Sequence, residues 1–336
     1  MNADRRAPVL TWTAWWLAAG AVCTSGGWIL SLAGWLRPIG YWVLVGVALM
    51  MAAIIARYTE FLRLPPWTGV RWRRYRRLWP AAFCLAAGLV VLGALAHEPN
   101  NVDAMTYRLP RVLHWLARGR WHWIETVDPR LNYSACGQEW LMAPWLALTD
   151  SGRLTWIWNF GGWLLLPGLL FLTLRDLGVR PRVAWVWMWL LPLAPLYVLQ
   201  AGSVANDLLG AVYFVAALAF AARLRRDASK EALVFSIVAM ALATGAKASN
   251  LPLVLPWLVL VAPIIWPNPG LRRAAWIMAL PAGLVSVLPT LAANRVVTGG
   301  WTGDPARITG VETGGPWSGL VGNVTQFAAQ NLVPPV

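Results

Sequence analysis

Apolar segments long enough to cross a lipid bilayer recur along this chain and restrict its fold more than any other feature. Because the hydrocarbon core of a bilayer is about 30 Å thick, a helix needs about 20 mainly apolar residues to cross it. The candidate spans, in chain order, are 9–31, 40–56, 78–96, 154–174, 183–200, 208–222, 232–246, 251–266 and 274–292. The pattern predicts an all-α, polytopic membrane protein with about nine transmembrane helices.

The composition excludes an ordinary soluble domain. Hydrophobic residues make up 58% of the chain and charged residues only 12%, with a mean hydropathy of +0.54. These values lie far from those of a typical globular protein. The 25 tryptophans exceed what core filling requires, and indole favours the boundary between lipid headgroups and acyl chains.

The net charge of +14 is distributed in a way that favours membrane topology over nucleic-acid binding. Most Lys and Arg residues lie in short segments, which are 1–8, 57–77, 175–182, 223–231 and 267–273. The positive-inside rule makes such loops cytoplasmic, so we predict that 97–150 and 293–336 lie outside. The basic run at 71–77 is then a solvated, topology-setting loop, and no nucleic-acid partner is expected. We expect a multi-pass protein of the cell inner (plasma) membrane, in contact with membrane lipids.

Segment 97–150 concentrates the chemical groups of the chain. It contains six of the 14 acidic residues and all three histidines, and it joins two predicted spans. We therefore expect an extracytoplasmic active site, with interfacial amphipathic helices in this first large loop. We expect a membrane module over 1–292 followed by an extracytoplasmic tail over 293–336, and we expect that the chain is a fragment or lacks later helices.

Two predicted spans, 208–222 and 232–246, contain only about 15 apolar positions, fewer than the roughly 20 of a standard crossing. Short helices of this kind border polar cavities in membrane enzymes and transporters. The alternative is that flanking residues complete the crossing.

Asp103 is the first candidate catalytic residue. It follows the third span in the sequence NNVD, a helix N-cap signature. After it, apolar residues recur at helical spacing, and Arg108, Arg111 and Arg118 populate the remaining helix surface, with Pro110 as a bend. Asp103 is thus either a catalytic carboxylate or the cap of an interfacial helix.

Asp207 and Lys247 are further candidates. Asp207, in QAGSVANDLLGA, falls at the outer mouth of a short span, where an acid is costly unless it is paired or functional; a cap role, with Asn206 as competitor, is the alternative. Lys247, in ATGAKASN, is one of only two lysines. The string lacks the core of a phosphate-binding P-loop, so Lys247 is either a counter-ion for a phosphate or a side chain that snorkels to the interface.

Other catalytic patterns do not occur in the sequence. The histidines His97, His114 and His122 match no metal-ligand spacing, and no serine lies in a GxSxG elbow. There is no Asp-x-Asp pair, which argues against a metal-dependent enzyme that uses a nucleotide sugar. Three scattered cysteines predict no disulfide or zinc framework. We expect no metal ligands and no certain cofactor, with a divalent cation as an option.

The block DAMTYRLPRVLHWLARG (103–119) resembles the first outer loop of integral-membrane glycosyltransferases of the GT-C superfamily. The likeness is to bacterial relatives of the dolichyl-phosphate-mannose type and to those that modify lipid A. In that loop an acid is followed by a Thr-Tyr-His-Leu-Pro-Arg-like run and a His-Trp pair, and Arg108 stands here where His is common. Further matches follow in order at Glu139, ANDLL, GAKAS, and an Asn-Arg before Gly-Asp-Pro. The resemblance covers most of residues 80–310.

The resemblance implies an enzyme that passes a sugar from a polyprenyl-phosphate carrier to a hydroxyl of a lipid, glycan or protein acceptor on the outer face. Asp103 would be the general base that takes the proton of the acceptor hydroxyl. Asp207 would be the second catalytic acid, which orients the substrate or stabilises the developing oxocarbenium charge.

The leaving phosphate needs cations, and the resemblance offers Lys247, Arg111 or Arg295 for this task. The remaining substrate-binding residues that it implies are Tyr107, His114 and Glu139.

Two other classes of membrane protein remain as alternatives. A transporter or lipid flippase also uses intramembrane charge and broken helices, but its halves should show repeat symmetry, and none is found. A polysaccharide polymerase or ligase also uses lipid-linked sugars, but it relies on arginines and a histidine in a later outer loop.

Overall fold

The chain folds into α-helices joined by short loops. The computed structural model describes residues 8–59, 61–63, 77–303 and 316–332. The helices are α1 (Pro8–Leu32), α2 (Pro38–Tyr58), α3 (Leu78–Ala96), α4 (a π-helical turn at Ala104–Arg108 followed by Leu109–Arg118), α5 (Arg130–Tyr133), α6 (Gly137–Thr149), α7 (Ile157–Asp176), α8 (Pro181–Leu190), α9 (Pro195–Ala201), α10 (Asn206–Asp227), α11 (Lys230–Ala246), α12 (Val254–Ile265), α13 (Pro269–Val285), α14 (Leu288–Thr298) and α15 (Pro316–Leu332). Over these residues the predicted all-α class is confirmed.

Six helices of the described chain are long and apolar enough to cross a membrane: α1, α2, α3, α7, α10, and α12 with the 3-10 turn before it. Two bent pairs, α8 with α9 at 57° and α13 with α14 at 56°, raise this to eight at most. The chain is therefore a multi-pass membrane protein with six to eight candidate spans. The predicted number of nine is not confirmed, because α11 has only 17 residues.

The two spans predicted to be short differ in the structure. Helix α10 has 22 residues, so residues flanking 208–222 make it long enough for a full crossing, as the alternative interpretation predicts. Helix α11 remains short of the roughly 20 residues of a standard crossing. It ends at Ala246, and the chain then enters the 3-10 turn Ala248–Leu253 at Lys247.

Helix α10 lies at the centre of the main core and packs against α7, α11 and α12. Buried alanines such as Ala216 and Ala217 let neighbouring helix backbones approach closely. Phe220 lies edge-on to Phe61 at 5.3 Å and stacks on Phe235 at 5.3 Å. This packing holds the middle of α10, whose two ends carry Asp207 and the arginines at 225 and 226.

Segment 97–150 forms a second core, in which α4 and α6 pack on each other and α6 contacts α1 and α2. Trp140 of α6 is the centre: its ring stacks on Trp115 at 4.7 Å and contacts Trp28 at 5.0 Å. Gly27 of α1 allows this approach, because a Cβ there would lie 2.3 Å from the Trp140 ring. The segment is thus a packed structure built on two spans.

Several sequence predictions fall partly outside the described residues. These are the N-terminal segment 1–7, most of the basic run at 71–77, and the Asp-Pro of the Gly-Asp-Pro match at 304–305. The predicted boundary at 292 falls inside α14, and α15 lies within the predicted tail.

Candidate functional site

Helix α4 owes its first turn to Pro110. Proline has no backbone N–H, so the α-helical hydrogen bond from residue 110 to Thr106 cannot form. The chain adopts a π-helical turn instead, in which the Leu109 amide donates to the Ala104 carbonyl, five residues earlier. Single π turns of this kind are frequent at functional sites.

The wider turn brings Arg108 onto the face that Asp103 and Tyr107, four residues apart, already share in an α-helix. Residues five apart lie on different faces of an α-helix, but here both Tyr107 and Arg108 reach Asp103. The Tyr107 hydroxyl donates to Asp103 Oδ2 at 2.9 Å. Arg108 Nη2 lies 3.7 Å from the same oxygen and donates to the Tyr107 oxygen at 2.9 Å.

Glu139 of α6 holds this arrangement in place through ion pairs with two arginines. Its Oε1 lies 3.3 Å from Arg108 Nη1 and 3.3 Å from Arg111 Nη1. The Glu139 side chain is fully buried and Arg108 is 2% exposed, whereas Asp103 is 44% exposed. We call Asp103, Tyr107, Arg108, Arg111 and Glu139 the Glu139 cluster.

Arg111 ties the cluster to the following loop. Its Nε donates to the Leu131 carbonyl at 2.8 Å, and its two Nη atoms donate to carbonyls of Arg130 and Ser134. With its charge met by Glu139 and its donors used by backbone oxygens, the fully buried Arg111 holds residues 130–134 against α4.

Two expectations for α4 are corrected by these contacts. Arg108 and Arg111 were expected on the helix surface, but they are buried, because Glu139, distant in sequence, supplies a buried counter-charge. Asp103 was alternatively expected to cap the helix, but its side chain makes no capping hydrogen bond. The carboxylate instead binds Tyr107 and Arg108. Only Arg118 of the three arginines is exposed, as predicted.

Ionisation states in the cluster follow from burial and neighbours. Burial raises the pKa of the Tyr107 hydroxyl, and the positive charge of Arg108 only partly opposes this. Tyr107 therefore stays protonated near neutral pH and acts as a donor to Asp103. Arg130, which lies over the Tyr107 ring at 5.1 Å, has a raised pKa because Asp128 accepts its hydrogen bonds.

Asp207 and Lys247, which we call the Lys247 pair, form an ion pair with Nζ and Oδ1 2.5 Å apart. Asp207 is 54% exposed and Lys247 is 42% exposed. Neither Asp207 nor Asn206 caps α10 through its side chain. The Gln200 side chain does so instead: its Oε1 accepts from the Leu208 amide at 2.7 Å, and its Nε2 lies 3.5 Å from Asp207 Oδ2.

Residues next to the Glu139 cluster and residues next to the Lys247 pair approach each other at two places. The start of α6 abuts the end of α11, where a Cβ on Gly137 would lie 2.6 Å from the Gly245 carbonyl oxygen. A cavity of about 630 Å³ lies between α3, the following loop and α9, and both Asn101 and Gln200 line it. Asn101 precedes Asp103 by two residues, and Gln200 contacts Asp207.

The other predicted site residues lie apart from these contacts. His114 is exposed on α4, with its ring 6.5 Å from that of His122. Burial lowers the pKa of His122. Arg295 is exposed on α14, whereas its neighbour Asn294 is buried and donates to the Tyr133 carbonyl at 3.1 Å. The structure thus brings α14 to the 130–134 loop but does not bring Arg295 to Asp103.

Sequence reasoning missed Gln138 and Gln200, and it gave Arg108 no role. Gln138 is fully buried, and neither amide atom has a partner within the described chain. The same holds for Glu139 Oε2 and Arg108 Nε. Glutamines and an acid in an otherwise apolar stretch are the signal that could have identified this polar interior.

Within the described residues, no group of three or more His, Cys, Asp or Glu side chains is placed to hold a metal ion. The described cysteines are free; burial raises the pKa of Cys136 to about 11, so its thiol stays protonated. Comparison of the chain with family models, curated proteins and solved structures gives no match.

Proposed function

We propose that this protein is a membrane glycosyltransferase that moves a sugar from a polyprenyl-phosphate carrier to a hydroxyl acceptor on the extracytoplasmic face, with Asp103 as general base. One observation carries the proposal. Asp103 is a half-exposed carboxylate with one oxygen held by Tyr107 and Arg108, on a helix anchored to a buried salt-bridge cluster.

The geometry suits a base. Oδ2 accepts the Tyr107 hydroxyl, while Oδ1 has no hydrogen-bond partner in the part of the chain described. The free oxygen can accept the proton of an acceptor hydroxyl as that hydroxyl attacks the anomeric carbon of the sugar. The bond between this carbon and the phosphate oxygen then breaks, and the carrier phosphate leaves.

Lys247 is the cation that we assign to the carrier phosphate. Its partner Asp207 is exposed, so the pair can open at little cost. In this proposal Asp207 positions the lysine rather than acting on the sugar. Arg111 is fully buried and its donors are used, so we assign it and Glu139 to positioning Asp103. Arg295, exposed on α14, stays a prediction as a phosphate ligand.

The cavity between α3 and α9 supports a lipid-linked donor. Its lining includes apolar side chains such as Leu89, Val90 and Leu199, together with the polar side chains of Asn101 and Gln200. An isoprenoid chain along the apolar wall would bring its phosphate toward Gln200, the neighbour of the Lys247 pair.

The experiment is transfer of a labelled sugar by the purified protein from synthetic polyprenyl-phosphate donors, compared with nucleotide-sugar donors. The proposal predicts labelled product only with the polyprenyl-phosphate donors. Transfer from the nucleotide sugars alone, or movement of the lipid between leaflets without transfer, would overturn it.

A further inference from the structure

A second cavity, of about 460 Å³, lies among α7, α10 and α12, at the opposite end of α10 from Asp207. Its apolar wall includes Leu218 of α10 and Leu260 of α12, and its mouth is formed by Asp176, Arg225 and Arg226 at the ends of α7 and α10. Leu218 lies seven residues before Arg225, which is about 10 Å along the helix. The cavity is therefore polar at its mouth and apolar farther inside.

The mouth carries an uncompensated positive charge. Arg226 Nη2 pairs with Asp176 Oδ2 at 3.3 Å, and the nearby Arg223 pairs with Asp227 at 2.5 Å. Arg225 is exposed, and over the described residues it has no carboxylate partner and no hydrogen bond. Asp176, the one acid among the described residues that line the cavity, is thus already paired, and the Arg225 guanidinium is available to an anion.

A hydroxyl inside the cavity also lacks a partner. Thr173 is 9% exposed, and its Oγ1 makes no hydrogen bond within the described chain. A threonine within a helix ordinarily bonds the carbonyl four residues earlier, and leaving a buried polar group unpaired is costly. Thr173 lines the same cavity as Arg225, so an unpaired guanidinium and an unpaired buried hydroxyl border one site.

We propose that this cavity binds the headgroup of an anionic phospholipid. A phosphate diester would accept from the Arg225 guanidinium and the Thr173 hydroxyl, and the first part of an acyl chain would lie along Leu218 and Leu260. Basic pockets between transmembrane helices bind anionic headgroups in this manner. The apolar wall, which extends about 10 Å along α10 from Leu218 to Arg225, distinguishes a lipid from a free phosphate, which has no apolar group to cover it.

The test is native mass spectrometry of the detergent-solubilised protein with phosphatidylglycerol and phosphatidylcholine of identical acyl chains. The wild-type protein should retain phosphatidylglycerol in preference to phosphatidylcholine. Arg225→Gln should weaken this retention about tenfold or more, as expected for loss of a charge-assisted hydrogen bond. Leu260→Trp, which fills the apolar wall and keeps every charge, should weaken it as well.

Arg182→Gln is the matched control, because Arg182 is an exposed arginine of α8 that does not line the cavity. It should leave phosphatidylglycerol retention unchanged. Equal losses for Arg182→Gln and Arg225→Gln would mean diffuse charge attraction and overturn the proposal. Equal retention of the two lipids by wild type, or displacement of phosphatidylglycerol by glycerol 3-phosphate alone, would also overturn it.

Discussion

The Glu139 cluster and the Lys247 pair both contain a carboxylate paired with a basic side chain, but the two sites differ in solvent exposure. In the cluster, the partners of Asp103 are buried: Arg108 is 2% exposed and Glu139 is fully buried. In the pair, Asp207 and Lys247 are both about half exposed. The first arrangement is fixed by packing and by a π-helical turn, and the second is free to exchange partners with an ion.

In the proposed mechanism, this difference separates two tasks. A group that removes a proton in the transition state gains from a fixed position, whereas a group that receives a charged lipid must release its own partner first. Removing one member of a buried ion pair is costly, but exposed pairs contribute only about 0–1 kcal/mol. We therefore assign catalysis to Asp103 and donor binding to Lys247.

Asp103→Asn should produce the largest effect. The carboxamide oxygen can still accept the Tyr107 hydroxyl, but the proton acceptor is lost, so the transfer rate should fall by about 10²- to 10⁴-fold. Expression and membrane insertion should stay normal. Asp150→Asn is the control: Asp150 is exposed in the same segment at φ 51°, a conformation that Asn also tolerates, and it should transfer at the wild-type rate. Equal rates for both variants would remove Asp103 from the mechanism.

Glu139→Gln should destabilise the fold. It removes the carboxylate partner of the buried Arg111 and one of the two carboxylate partners of Arg108, which costs about 3–5 kcal/mol for a broken buried pair. The melting temperature in detergent should fall clearly below that of wild type, while Glu125→Gln, an exposed acid of the same segment, should leave it unchanged. A Glu139→Gln protein as stable as wild type would show that the cluster does not hold the segment together.

Lys247→Ala should weaken use of the donor. Loss of one charge-assisted hydrogen bond to the phosphate costs about 1.5–3 kcal/mol, so KM for the donor should rise roughly 10- to 100-fold. Lys247→Arg should retain much of the affinity. Lys230→Ala, which removes the only other lysine, is the control and should have wild-type kinetics. A wild-type KM in Lys247→Ala would mean that Lys247 does not bind the donor and that its side chain only snorkels to the interface.

Asp128 should give the smallest effect. The hydrogen bonds from Arg130 hold the pKa of Asp128 below its ordinary value, so the pair stabilises the folded state above the unfolded pKa of about 4. That stability is lost as pH falls through the lower folded pKa. Because the pair is partly exposed, we expect no more than about 1 kcal/mol. In Asp128→Asn, the melting temperature should fall less than in wild type between pH 5 and about pH 3. An equal fall in both proteins would contradict this.

The helices could be predicted from the sequence because hydropathy is a local property. The segments predicted from hydropathy correspond to observed helices. Helix α10 is longer than its predicted span, 208–222, because the residues at its ends are polar and hydropathy did not include them. The number of crossings could not be obtained in this way. It depends on whether α8 with α9, and α13 with α14, each form one bent span, which is decided by tertiary packing.

The site could be predicted only in part. Asp103, Asp207 and Lys247 stand out locally because charges are rare beside apolar runs. The burial of Arg108 and Arg111 could not be predicted, because Glu139 lies 31 residues from Arg108 in the chain. The pairing of Asp207 with Lys247 spans 40 residues. The π-helical turn depends on Pro110, which sequence reasoning treated as a simple bend.

The division of labour between the two regions is tested most directly by single-turnover transfer rates at increasing donor concentration. Wild type, Asp103→Asn and Lys247→Ala are compared with the same polyprenyl-phosphate donor. We predict that Asp103→Asn stays slow at every donor concentration, while Lys247→Ala approaches the wild-type rate at saturation. Recovery of Asp103→Asn at high donor, or a Lys247→Ala rate that stays low at saturation, would contradict the account.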